Sequence, residues 1–108
     1  GIWSALATEL GMLSAPFSED VGGLGGGALE NAIVMEELGK AIGIEPYLQT
    51  VVIGGGALKA APGSLADALI PAIIGGEAII AFAYAEPQGR YDPANIRTSA
   101  KADGGGFV

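Results

Sequence analysis

Neither cysteine nor histidine occurs anywhere in the 108 residues, which removes disulfides, thiolate metal sites and the commonest metal-ligating side chain together. The simplest expectation is a metal-free, cytoplasmic protein. Basic residues are scarce as well. The five cations, Lys40, Lys59, Arg90, Arg97 and Lys101, are scattered along a chain of net charge −7. Binding a phosphate backbone needs clustered Lys and Arg, so nucleic acid is a poor partner. Long uninterrupted apolar runs are missing too. The best of them, Ala68 to Ala85, carries Pro71, Gly75, Gly76 and Glu77 near its middle, and a carboxylate at the bilayer centre costs about 2.5–3.5 kcal/mol. No membrane span is expected, and Gly1 to Gly11 lacks the charged start and apolar run of a secretion leader.

Apolar residues are what the chain does have. They make up 50% of it, and the mean hydropathy is +0.46, enough for a modest core in about one domain's length of chain. With only 16% charged residues, self-association is expected. Ile2, Trp3, Leu6 and Leu10 fall at helical spacing up to Gly11, where a left-handed cap would end the helix. Met12 to Gly27 reads as a loop. Its glycine run, Gly22-Gly23-Leu24-Gly25-Gly26-Gly27, has no apolar strand before it and no Gly-Lys-Ser/Thr after it, so a flexible connector is the reading, not a phosphate cradle.

The clearest helix starts at Ala28, with Leu29, Ile33, Leu38, Ala41 and Ile42 as its apolar stripe and Glu36 paired to Lys40 at i,i+4. Glu36 and Glu37 point about 100° apart and cannot converge on one substrate atom, so they read as a solvated face. Gly43 and Pro46 end this helix. Tyr47 to Ala61 forms the next, and Gly54-Gly55-Gly56 inside it implies close backbone packing against a neighbour helix, since each Gly costs about 1 kcal/mol against Ala in a helix. Ser64, with Asp67 three residues on, reads as the N-cap of a helix from Leu65 towards Ile74, and Pro71 should kink it or end it early. Gly75 and Gly76 stop it.

The character of the chain then changes. Ile79 to Ala85 is rich in β-branched and aromatic residues and is stopped by Glu86-Pro87, which predicts a buried strand opening into a polar loop with turn residues Gly89, Asp92 and Pro93. Ile96 to Ala102 alternates weakly, as a strand with one wet face does. Asp103-Gly104-Gly105 is a hairpin turn signal, with Phe107-Val108 starting the return strand.

Ala81-Phe82-Ala83-Tyr84-Ala85-Glu86-Pro87, a short spacer and Asp92 resemble the strand and loop that acyl-CoA dehydrogenases set against their flavin, usually Thr-Glu-Pro, two variable residues, then Gly-Ser-Asp. Leu10 to Phe17, the glycine run and Met35-Glu36-Glu37-Leu38-Gly39-Lys40 resemble that family's amino-terminal helical domain, in the family's order. The resemblance implies a mainly α fold with a short C-terminal β segment. Residues 1–77 would be the helical N-terminal domain without its first helix, and 78–108 the truncated beginning of the middle β-barrel domain. Gly1-Ile2-Trp3 begins almost inside a helical pattern and Phe107-Val108 ends on the start of a strand, so a piece of a longer chain is expected.

The activity implied is oxidation of an acyl-CoA thioester to the 2,3-enoyl-CoA, with FAD taking the hydride. Electron-transfer flavoprotein or a similar acceptor would take the electrons, and a homo- or hetero-oligomer is implied. The family's catalytic base is a Glu in the carboxy-terminal domain, so no catalytic residue is nominated and the 108 residues alone are expected to be inactive. By resemblance, Phe82, Tyr84 and Ala85 fall on cofactor-binding positions, Arg90 and Tyr91 on substrate-binding ones, and Asp92 on that of the loop-ordering acid. Two departures stand out. Ala85 replaces a Thr hydroxyl near the flavin, and Arg90-Tyr91 replaces Gly-Ser.

One reading is an active dehydrogenase in which the Arg90 fork meets a carboxylate or phosphate of an unusual, dicarboxylic acyl-CoA. The other is a subunit of a heteromeric enzyme with a degraded flavin site, similar to small subunits of pimeloyl-CoA or steroid side-chain dehydrogenases. Apart from the resemblance, Arg90 and Tyr91 also read as a solvent-facing loop, and the chain as a non-enzymatic helical interaction module.

Overall fold

A computed structural model describes all 108 residues, Gly1–Val108. It is mainly helical with a short antiparallel strand pair at the C-terminal end, as the sequence predicts. Helix α1 spans Ile2–Thr8, α2 Ala28–Lys40, α3 Gly55–Ala60 and α4 Ser64–Ile74. A π-helical segment, Leu48–Gly54, runs straight into α3, and short 3₁₀ turns occupy Met12–Ser14 and Glu19–Val21. Strands β1 (Ala102–Asp103) and β2 (Gly106–Phe107) pair through a turn in which Gly104 and Gly105 have φ of 54° and 94°. Positive φ at both central residues is what a type I′ hairpin demands, and glycine supplies it without strain.

The core is one cluster whose largest fully buried side chains are Tyr47, Phe17, Leu13, Ile73, Val51 and Thr50. Beyond Ile73 only Gly89 is buried, so the helical body ends where α4 ends. Phe17 is the hub. The glycine run wraps it: Gly25 N–H donates to the Phe17 carbonyl at 2.8 Å, Gly26 N–H to Ala15 O at 3.0 Å and Leu24 N–H to Ser14 O at 3.1 Å. A Cβ at Gly23 would overlap the Phe17 carbonyl. The run is therefore a latched loop, where the sequence alone suggests a flexible connector. Its glycines permit backbone-to-backbone contact.

Several boundaries differ from the sequence expectation. Helix α1 stops at Thr8, leaving Leu10 exposed, and Gly11 adopts the left-handed conformation with φ 63°. Gly63, not Ser64, holds the N-cap of α4, and that helix runs through Pro71 to Ile74. The stripe on α2 is also displaced. Leu29 and Ile33 are 67% and 53% exposed and Ile42 stands in solvent, while Asn31, Val34, Met35 and Leu38 face inward. The Tyr47 hydroxyl donates to Asn31 Oδ1 at 3.0 Å. That bond turns a polar position inward, and burial pushes the Tyr47 phenol up to about 12. Lys40 pairs with Glu36 at 2.9 Å and with Glu37 at 2.8 Å on the solvated face, as expected.

The largest correction concerns the strands. Ile79 to Ala85 is extended but belongs to no sheet, and Phe82 and Tyr84 are each 54% exposed. Strand identity requires a neighbouring ladder, and no segment of these residues runs alongside. Ile96 to Lys101 is likewise outside any sheet, with pairing limited to the hairpin and to the Lys101–Val108 bonds at 2.8 and 2.9 Å beside it.

The glycine triplet separates two effects. A Cβ on Gly55 would lie 2.7 Å from Phe17 Cζ, whereas one on Gly56 meets nothing within 4 Å. Gly55→Ala should therefore lower stability by about 1–3 kcal/mol through overpacking, and Gly56→Ala should raise it by about 0.5–1 kcal/mol through helix propensity. Urea unfolding midpoints of the two variants check this, and equal effects of the two would contradict it.

Candidate functional site

The segment leaving α4 is tied to the helical body only at its start, where Ala78 and Ile80 pack against the core. Glu77 and Ala78 N–H groups both donate to Ala72 O, at 2.9 and 3.0 Å, and close the helix end. The buried Thr50 hydroxyl then donates to Ile80 O at 3.0 Å and accepts from Ile80 N–H at 3.3 Å. A Cβ on Gly54 would come within 2.7 Å of Ile80 Cδ1, so the triplet's close approach is to Ile80 as well as to Phe17. From there the chain crosses the face of the π-helical segment. Phe82 and Tyr84 stack with ring centroids 6.4 Å apart and an interplanar angle of 25°. The N–H groups of Ala81, Phe82, Ala83 and Ala85 donate to no group within the chain, so these donors are unused, alternating between the two sides of the extended segment.

Residues 86–98 close on themselves as a loop. At its neck the Glu86 carboxylate accepts from Arg97 N–H at 2.8 Å on Oε2 and from Thr98 N–H at 3.1 Å on Oε1. The Gln88 side-chain amide also donates to Oε2. Gln88 donates to Asn95 O at 3.3 Å as well, and Gly89 N–H to Glu86 O at 3.0 Å. Asp92 Oδ1 accepts from Ala94 N–H at 3.0 Å, an Asx turn, which is a physical role for an acid at that position. The Arg97 N–H foremost, then the Gln88 and Thr98 donors, hold the Glu86 carboxyl down at about 2. Arg90 sits on the rim in the left-handed conformation, φ 50°, and Tyr91 is 102% exposed.

Two adjoining grooves result. One of about 520 Å³ lies between Ile53, Phe82, Tyr84, Glu86, Pro93 and Ile96. The other, about 340 Å³, lies between Tyr84, Ala85, Glu86, Arg90, Tyr91 and Asp92. Phe82 thus lines the first groove, Ala85, Arg90 and Tyr91 the second, and Tyr84 both. Glu86 also lines both, although in the sequence it is only part of the Glu-Pro motif that ends the strand and is given no site role. No three His, Cys, Asp or Glu side chains converge as metal ligands, and no helix is long and apolar enough to cross a membrane.

Residues 1–77 match the family model for the acyl-CoA dehydrogenase N-terminal domain. Acyl-CoA dehydrogenase FadE29 of Mycobacterium tuberculosis is 37% identical over 101 residues, covering 91% of this chain and 25% of that protein. The probable acyl-CoA dehydrogenase YngJ of Bacillus subtilis is 32% identical over 104 residues, covering 93% of this chain and 27% of that protein. The chain therefore spans about a quarter of the length of the curated relatives it matches. No solved structure matches it.

Two outcomes follow from this geometry. Thr50→Val keeps the shape but leaves both polar groups of Ile80 without a partner, which should lower stability by about 1–3 kcal/mol and speed amide exchange across 79–85. Thr50→Ser should lose less. The second concerns acid. A carboxyl whose ordinary value of 4.5 is lowered to about 2 in the fold contributes fully above about pH 4.5, and the contribution is lost as pH falls towards 2. NMR shifts of the Arg97 and Thr98 amides should titrate with a midpoint near the lower value. A midpoint near the ordinary one would mean the bonds do not persist in solution.

Proposed function

The chain belongs to the acyl-CoA dehydrogenase family, and from that membership we propose that it is part of a flavin-dependent enzyme oxidising an acyl-CoA thioester to the 2,3-enoyl-CoA. The observation that carries the reading is a family match over 1–77 followed at once by a segment whose exposed edge and stacked aromatics line a pair of grooves. In this reading 1–77 is the helical domain and 78–108 opens the next one. Since the relatives are about four times as long, the catalytic base belongs to polypeptide beyond these residues.

FAD would supply the acceptor for the substrate's hydride. The residues present suit such a group. The unused N–H donors between Ala81 and Ala85 can meet the carbonyls and ring nitrogens of a flat heterocycle, and Phe82 and Tyr84 offer an aromatic wall. Ala85 contributes only its backbone there, having no hydroxyl. Arg90 and Tyr91 then stand at the mouth of the second groove, where a guanidinium fork suits a carboxylate or phosphate of the acyl-CoA. An electron-transfer flavoprotein or similar acceptor would reoxidise the flavin.

A second reading, a heteromer subunit whose own flavin site is degraded, draws on the replacement of Thr by Ala85 and of Gly-Ser by Arg90-Tyr91. Against it, Tyr91 stands wholly in solvent, so its bulk does not fill the groove. That removes steric blockage by Tyr91 as a ground for the second reading.

The test is the full-length gene product expressed alone. A yellow protein with flavin absorbance that bleaches on adding acyl-CoA is expected, and the isolated 108 residues should give no turnover. Colour only on co-expression with a second acyl-CoA dehydrogenase chain would select the heteromer. A protein colourless in every pairing would leave an interaction module and overturn the proposal.

A further inference from the structure

We infer that Glu86 is a positioning residue for this site, a clasp whose carboxylate fixes where Arg90 and Tyr91 stand. The inference rests on the reading above that those two residues meet the acyl-CoA, and it adds the group that aims them.

Arg90 and Tyr91 have no hydrogen bond of their own to hold them, and Tyr91 makes no burial contact at all. Their position is set by the loop that carries them. That loop is outside the helical core, so its shape depends on its internal bonds. Glu86 makes the bonds that join its two ends. Consecutive N–H groups of Arg97 and Thr98 are taken one on each carboxylate oxygen, while the Glu86 carbonyl takes Gly89 N–H on the near side. The turn that carries Arg90 and Tyr91 is itself closed by Asp92 N–H to Gly89 O at 2.8 Å, and the bonds that tie this turn back across the loop are longer, with Gln88 Nε2 to Asn95 O at 3.3 Å and Asn95 Nδ2 to Gln88 O at 3.5 Å. Gln88 is itself held by Glu86. Remove the carboxylate and both the neck and its nearest cross-link lose their partner.

The same bonding argues against a chemical role. A carboxylate that already accepts from two backbone amides and a side-chain amide holds protons weakly, so Glu86 serves geometry and not proton transfer. Nor does it serve the core, because no residue beyond Ile73 except Gly89 is buried. Its effect should therefore be confined to the loop. The backbone of Arg90 makes that confinement consequential. Its left-handed conformation lies inside the turn closed by the Gly89–Asp92 bond, so the guanidinium moves with that turn as a unit, and an opened neck would swing both away.

The experiment compares Glu86→Gln, Glu86→Asp and Arg90→Gln in the full-length protein by hydrogen exchange and by kcat/KM for an ω-carboxyacyl-CoA against the unsubstituted acyl-CoA of equal length. In Glu86→Gln, the side-chain NH₂ faces one of the two amides, so peptides covering 88–98 should exchange about 10-fold faster, with peptides covering 47–60 and 64–74 unchanged. The preference for the carboxylated substrate should fall about 10-fold. Glu86→Asp keeps the charge but is a methylene too short to bridge both amides, and it should behave like the Gln variant. Wild-type behaviour of Glu86→Asp with loss in Glu86→Gln would assign the effect to charge and overturn the clasp. Unchanged exchange across 88–98 in Glu86→Gln would overturn it too. Faster exchange with intact preference in Glu86→Gln, while Arg90→Gln abolishes the preference, would overturn the positioning role and leave the Arg90 reading standing. An Arg90→Gln variant with unaltered preference would sink the Arg90 reading instead, and with it the positioning role.

Discussion

A single hydroxyl determines where the grooved segment lies. Thr50 is fully buried and satisfies both backbone groups of Ile80, doing for one residue what an adjacent strand does for a row of them. An extended chain leaving a helix must pair any polar backbone group it buries, and Ile80 is where this chain presses closest to the body. Gly54 makes the contact possible by having no Cβ to meet the Ile80 side chain. Everything downstream inherits that point of attachment. Phe82 and Tyr84 cross over Ile53 because Ile80 is fixed, and Glu86 falls at the neck of the loop because the chain reaches it with that direction already set.

The glycines were the most informative residues to read and also the easiest to misread. Three in succession inside a helical pattern pointed to close packing, but against a neighbour helix, whereas Gly54 and Gly55 meet the side chains of Ile80 and Phe17, which lie on an extended segment and a loop. The run at 22–27 uses the same property, yet its contacts are with carbonyls of 14–18, and loop-to-loop backbone bonds leave no periodic trace. The Gly104-Gly105 turn was legible because a type I′ hairpin is a local demand on φ. What failed was non-local. Ile79 to Ala85 has a strand's composition, but pairing is a property of two segments. On α2, leucine and isoleucine occur on both sides, so periodicity could not choose between faces. The choice was made by Asn31, whose partner Tyr47 is sixteen positions away.

The candidate site divides along the same line. Phe82, Tyr84, Ala85, Arg90 and Tyr91 are picked out by the family positions that their motif resembles, and in the structure they line adjoining grooves. Glu86 belongs to the same motif, but its bonding role could not be read, because its partners, Arg97 and Thr98, lie eleven and twelve positions on. A carboxylate before proline has an obvious local meaning as a strand end. Its longer-range meaning depends on a loop closing back, which no local pattern encodes.

This separation has a consequence for how such a site changes. The helical body is stabilised by burial around Phe17 and Tyr47, and it touches the segment mainly through Thr50, Gly54 and Ile53. The loop beyond Glu86 is stabilised by its own hydrogen bonds. Two such units can vary almost independently, since energetic coupling is strong only between groups that share contacts or a bonding network. Bulky residues at 90 and 91 are therefore tolerable at no expense to the core, provided the neck closes. It follows that the rim can change while the attachment at Ile80, and with it the orientation of the aromatic pair, stays as it is.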